Sequence, residues 1–213
     1  MKFCVIGLGR FGYQVATTLA ENGMEVLGVD SHESIVSSIR DYITHAVTLQ
    51  VNDEVSLRSI GVDEMDTVIV AMGENFAGSI LITALLKKKL HIPLVITRAV
   101  NEIHKEILML IGADRVILPE QEIGAKLADN LSLPFSVLSR VTKRFSIAQI
   151  TTPGSFVGKH LDDLNLYKQY RINCVGIKKE DEIMPVDPHY TIEEDDNLIL
   201  AGNNKDLEAL GKL

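Results

Sequence analysis

Apolar positions along the first 118 residues follow two alternating periods. Short continuous runs at Phe3 to Ile6, Glu25 to Val29, Ala46 to Leu49, Thr67 to Ala71, Leu94 to Thr97 and Arg115 to Leu118 have the length and branching of buried strands. Between them the spacing becomes helical. Val15, Ala16, Leu19 and Ala20 share one face, and further helices are predicted over about Glu33 to Asp41, Glu54 to Ile60, Glu74 to Leu90 and Glu102 to Ile111, with Gly61 and Gly112 as stops. Six strands separated by helices predict an α/β fold, a Rossmann-like doubly wound parallel sheet.

The long helix is apolar nearly all round, through Phe76, Ala77, Ile80, Leu81, Ile82, Ala84, Leu85 and Leu86, and is expected to be buried. Its closing run Lys87-Lys88-Lys89 reads as a solvated last turn favoured by the helix dipole. In the following helix Ile103, Ile107, Leu110 and Ile111 form one face, and the surplus Leu108 and Met109 point to a partner surface.

Pro119 to Asn130 reads as a helix with Pro early and Glu120 and Glu122 in its first turn, and Ser132 to Pro134 break the pattern. A domain boundary is placed there, giving residues 1–134 and a small α+β lobe over 135–213. In that lobe strands are expected at Phe145 to Ile150, Ile172 to Ile177 and Asn197 to Ala201, with a short helix near Leu161 to Leu166. The four acids Glu193 to Asp196 read as a solvated turn.

The candidate chemistry lies where strand meets helix. Gly7-Leu8-Gly9-Arg10-Phe11-Gly12 follows the first strand: Gly7 suits a tight turn, Gly9 lets a pyrophosphate reach the backbone, and Gly12 lets the helix pack closely on the strand. Asp30 ends the second strand, 18 positions after Gly12, where a carboxylate accepts from a ribose hydroxyl and repels a 2′-phosphate. NAD-like or adenosine ligands therefore fit better than NADP. Arg10 faces the positive end of a helix dipole and needs an anion, either a nearby carboxylate or a nucleotide phosphate. Ligands of such sheets lie beyond the carboxyl ends of the strands, which adds Ser31, Asn52-Asp53, Ala71-Met72-Gly73, Asn75, Arg98 after Thr97, and Pro119-Glu120.

Composition narrows the class. A net charge of −8 argues against nucleic acid or an anionic membrane as the main partner, and no apolar stretch reaches the roughly 18 residues of a membrane span. The chain starts directly on a strand rather than a signal sequence, so a cytoplasmic location is expected. Cys4 and Cys174 lie in apolar runs, as buried structural thiols do.

Gly-Leu-Gly-Arg-Phe-Gly, Asp30, Val68-Ile69-Val70-Ala71 and Gly112-Ala113-Asp114-Arg115 followed by Pro119-Glu120 together resemble the cytosolic regulatory subunits of Trk/Ktr-type bacterial potassium transporters, the RCK (regulator of potassium conductance) proteins. The resemblance covers the whole chain. It implies a homo-oligomer, an octameric ring of dimers, that docks on a membrane-embedded potassium transporter subunit, binds ATP, ADP or NAD(H), and opens or closes the pore. By motif, Arg10 would meet the terminal phosphates, Asp30 the ribose and Asn52-Asp53 the adenine side; Glu120 would lie near the phosphates at a dimer interface with a divalent or sodium cation. From the residues alone, Glu120 is better explained as an acid stabilising a helix N-terminus, and only the resemblance reverses that preference. Two departures stand out. Asn52-Asp53 replaces the usual Gly-Asp, and Tyr167 holds the arginine position of relatives that bind cyclic di-AMP, which argues against that ligand. The competing class is a small NAD-dependent oxidoreductase, but the six histidines are scattered and the last lobe is small for a substrate domain.

Overall fold

The structure is a computed structural model and describes residues 1–73, 75–180 and 182–212. The six apolar runs form strands β1 (Lys2–Ile6), β2 (Glu25–Asp30), β3 (His45–Thr48), β4 (Thr67–Val70), β5 (Leu94–Arg98) and β6 (Arg115–Ile117). All pair in parallel, in the order β3-β2-β1-β4-β5-β6. Five helices connect them: α1 (Arg10–Glu21), α2 (Glu33–Ile39), α3 (Glu54–Ser59), α4 (Phe76–Lys88) and α5 (Glu102–Ile111). Glu74, expected to open α4, lies outside the described residues. All four residues of β4 are buried, as a central strand covered on both faces must be. One apolar layer joins Cys4, Ile6, Val29, Val68 and Val70 to Ile82 and Leu86 of α4; the other joins Val5, Val26 and Ile69 to Ala16, Val36 and Ile39. Burial pushes the Cys4 thiol up to about 12, so it is inert packing.

Two helix faces differ from expectation. In α4 the buried residues are Ser79, Ile82, Thr83 and Leu86, while Phe76 and Leu81 are exposed. In α5 the inward pair is His104 and Leu108, and Ile103 and Leu110, predicted inward, are exposed together with Met109. The cause is polar complementarity across α4 and α5. The His104 Nε2 lies 2.9 Å from Ser79 Oγ, its Nδ1 accepts from the Val100 amide at 3.3 Å, and its ring contacts Phe76 at 4.2 Å between centroids. A buried imidazole satisfied at both nitrogens anchors the helix more firmly than apolar spacing alone reveals. Lys87 likewise leaves the solvated run: its ammonium donates to Ile92 O at 3.1 Å and pairs with Asp114 at 2.9 Å. Lys88 and Lys89 are exposed.

The chain divides into two compact units, Met1–Pro119 and Glu120–Leu213. The second contains nearly all of helix α6 (Pro119–Ser132), then β7 (Ser136–Arg140), β8 (Phe145–Thr151), α7 (Leu166–Tyr170), β9 (Asn173–Lys179), β10 (Glu182–Met184), β11 (Asn197–Asn203) and α8 (Asn204–Leu210). Its antiparallel sheet runs β10-β9-β11-β8-β7, and alternate residues of β8 face a core of Ala148, Ile150, Leu198, Leu200, Leu207 and Leu210. β7, β10 and α8 were not expected from the sequence. Glu180, at φ 53, turns the chain after β9 without the glycine or asparagine that normally marks a hairpin. The helix expected over Leu161 to Leu166 begins only at Leu166. Leu161 and Asp162 instead donate their amides to Tyr190 O and Pro188 O, at 3.1 and 3.0 Å. Glu193 to Asp196 is not wholly solvated either. Asp196 is fully buried, accepting from the Glu193 amide at 2.8 Å and the Tyr190 hydroxyl at 3.2 Å. Cys174 is half-buried rather than buried, and neither cysteine is in a disulfide.

Candidate functional site

In this strand order, chain direction reverses sides between β1 and β4, so the loops after these two strands diverge and leave a crevice at the carboxyl end of the sheet. The glycines of the loop after β1 are there for measurable reasons. Gly7 stands at φ 90, its amide donating to Val29 O at 2.8 Å, and a methyl there would meet Met72 at 3.0 Å. A methyl on Gly12 would lie 1.9 Å from the Gly7 carbonyl oxygen and 3.0 Å from the Ala71 Cβ. Gly9 is different: nothing lies within 4 Å of where its methyl would be. It is the N-cap of α1 and supplies no side-chain acceptor to the helix's first-turn amides, and Arg10, the next residue, is exposed. An uncapped helix start beside a cation is the kind of arrangement that suits an anion.

Neighbouring strands add walls. Gly73 is pressed against Arg98, whose guanidinium nitrogen would be 2.3 Å from a methyl at Gly73, and the same guanidinium sits 5.9 Å from the centre of the Phe11 ring. Asp30, with an 11% exposed side chain, reaches back to the glycine loop: Oδ2 accepts from the Leu8 amide at 2.8 Å. Oδ1 accepts from the His32 amide at 2.9 Å and contacts its Nδ1 at 3.0 Å. Burial pushes this carboxyl up, but the hydrogen bonds from Leu8 and His32 outweigh it and hold it below its ordinary value, so it is ionised at neutral pH. The hydroxyl of Ser31 lies 3.2 Å from the same His32 nitrogen.

Gly7, Gly9, Arg10, Phe11, Gly12, Asp30, Ala71, Met72, Gly73 and Arg98 thus come from four strand ends to one crevice. Asn52 and Asp53 follow the edge strand β3, and Asp53 is engaged as the N-cap of α3, accepting from the Ser56 amide at 2.8 Å. Asn75 similarly caps α4 through the Gly78 amide at 2.8 Å. Glu120 belongs to the second unit, in the first turn of α6. Among the described residues no group of three or more His, Cys, Asp and Glu could hold a metal ion within one chain. Sequence reasoning missed His32 and the structural hold of Asp30 on Leu8; the only signal was the position of His32 two residues after the strand-ending acid.

A 3-2-1-4-5-6 parallel sheet with a glycine-lined helix start at its reversal point defines a Rossmann-type domain, here followed by a small antiparallel lobe. The TrkA-N domain profile matches residues 3–119 and the TrkA-C domain profile residues 146–213. The chain belongs to this TrkA-N/TrkA-C family. It is 38% identical over 210 residues to the Ktr system potassium uptake protein A of Bacillus subtilis (strain 168), covering 97% of this chain and 94% of that one. Identity to the Ktr system potassium uptake protein C of the same strain is 35% over 215 residues, covering 99% and 96%. Solved structures share the fold. The GsuK channel bound to NAD superposes with a TM-score of 0.54 at 21% identity, over 99% of this chain and 38% of that channel. The TrkA-N domain of inner membrane protein ybaL from Escherichia coli does so at 0.56 and 18% identity, over 62% and 96%.

Proposed function

We propose that this protein is a nucleotide-sensing regulatory subunit of a potassium uptake system. The observation that carries the reading is the match of essentially the whole chain to two Ktr system potassium uptake proteins, in a fold that starts a helix without a side-chain cap beside an exposed arginine, with open space around Gly9. In this reading ATP, ADP or NAD(H) lies in the crevice, with its phosphates on the first-turn amides of α1 and Arg10, its ribose at Asp30, and its base toward Ser31 and Asn52-Asp53. Met72, Gly73, Asn75 and Arg98 line the opposite wall. The GsuK channel, whose fold this chain shares, has been solved with NAD and with ADP, which supports a nucleotide as the ligand class.

Regulation requires that the nucleotide states favour different conformations, because a ligand that binds both equally shifts nothing. The protein acts as a homo-oligomeric ring, octameric in this reading, on a membrane-embedded pore subunit at the cytoplasmic face. Among the described residues no helix is long and apolar enough to cross a membrane itself. Support for assembly comes from α6, which has no buried residue and exposes Ile123, Leu127 and Leu131 at four-residue spacing. The functional boundary lies after α6, at residue 134, with residues 135–213 as the regulatory lobe. A single carboxylate at Glu120 holds no ion alone, so a divalent or sodium cation there would need ligands from a second subunit. The protein is a gate and not a dehydrogenase. The test is potassium flux in vesicles holding the pore subunit: adding this chain should make flux respond to ATP against ADP. Flux indifferent to nucleotide, or hydride transfer to small alcohols and aldehydes, would overturn the reading.

A further inference from the structure

We propose that His32 determines how tightly the crevice holds a ribose, because its ring and a ribose hydroxyl compete for the same carboxylate. The inference rests on the nucleotide reading above and goes beyond it by naming a residue that reading does not use. An ionised carboxylate offers about four lone-pair directions, two per oxygen. Both directions of Asp30 Oδ1 are taken, one by the His32 amide at 2.9 Å and one by the His32 ring at 3.0 Å. On Oδ2 the Leu8 amide takes one, at 2.8 Å. One direction remains, whereas a ribose brings two adjacent hydroxyls. With the ring in place a ribose makes one bond to Asp30; it makes two only when the ring gives way.

The ring is built to give way and the carboxylate to stay. A carboxylate only accepts, so the shared proton is on His32 Nδ1. The His32 side chain is 72% exposed, so leaving Asp30 exposes little buried surface, and the Ser31 hydroxyl at 3.2 Å offers Nδ1 another partner. Asp30 remains oriented by two backbone amides, Leu8 on one oxygen and His32 on the other, and neither depends on the identity of side chain 32. Removing the imidazole therefore frees a lone pair without loosening its owner. A ribose hydroxyl that no longer has to displace the ring gains one net hydrogen bond.

The test is calorimetric titration of the full chain and two variants, His32→Ala and His32→Asn, with ADP and with 2′,3′-dideoxy-ADP. His32→Ala should bind ADP about threefold to tenfold more tightly than the parent, the equivalent of one net hydrogen bond, and dideoxy-ADP with unchanged affinity. His32→Asn, whose amide can donate to Oδ1 as the ring does, should behave like the parent. The parent's His32 ring nitrogen signals should shift on adding ADP but not dideoxy-ADP. Equal ADP affinity of parent and His32→Ala, weaker binding by His32→Ala, or the same factor for both ligands overturns the proposal while leaving the nucleotide site standing. If the parent itself binds neither ligand, the nucleotide reading falls, and this inference with it.

Discussion

One methyl group, placed at Gly12 or at Gly9, separates what the glycine loop does for folding from what it does for a ligand. At Gly12 the added carbon would lie 1.9 Å from the Gly7 carbonyl oxygen, about 1 Å inside the 3.0 Å limit of real contacts, and backbone is what it strikes. Helix α1 must move away from β1, which disturbs the packing of Ala16 against Val5 and Ile69. Overpacking of this kind costs about 1–3 kcal/mol or more, so Gly12→Ala should lower the melting midpoint of the first unit by roughly 4–12 °C. At Gly9 the methyl meets nothing within 4 Å, and φ −61, ψ −177 is extended backbone open to alanine. The entropy lost from the unfolded chain favours Gly9→Ala, the poorer N-cap disfavours it, and the net should stay within about 1 kcal/mol of the parent. Yet the methyl projects into the space where an anion would meet the amides. Loss of a charge-assisted contact of about 1.5–3 kcal/mol should weaken ADP roughly tenfold to hundredfold. Thermal unfolding followed by circular dichroism, with calorimetric titration of ADP, reads both effects. A Gly12→Ala protein as stable as the parent would refute the close approach. A Gly9→Ala protein with undiminished ADP affinity would refute the anion cradle.

Arg10→Ala should weaken ATP by a similar tenfold to hundredfold while sparing adenosine, and equal losses for both ligands in calorimetry would count against a phosphate contact. Burial holds the His104 imidazole below its ordinary 6.5, so the stability tied to its neutral form is complete above that pH. It declines as pH falls below 6.5, because the unfolded chain protonates first. Urea unfolding of the parent should therefore show a loss as the pH falls below about 6.5 that is reduced in His104→Gln. Leu127→Asp, in the middle of the exposed α6 stripe, should leave the unfolding midpoint nearly unchanged but shift the mass measured by light scattering to a smaller oligomer. An unchanged mass would remove α6 from the interface.

The alternation of apolar runs with helical spacing determined the six-stranded domain almost completely, because parallel strands buried on both faces must be written as continuous apolar segments. The glycine loop and Asp30 were legible for a related reason: backbone geometry at a strand-to-helix turn restricts the residue type. What depended on partners distant in sequence was not legible. The inward face of α5 follows His104 because Ser79, 25 positions earlier, completes its hydrogen bonds; Lys87 is drawn from solvent by Asp114, 27 positions later. Tyr190 and the Glu193 amide make a buried staple of Asp196, which the sequence alone presents as one more acid in a charged turn. Asp30 belongs to both categories. The sequence reads it as a ribose acceptor from its position at the end of the second strand, but only the fold shows that Leu8 and His32 already occupy most of its lone pairs, since hydrogen-bond capacity is shared out by tertiary neighbours and not by local pattern.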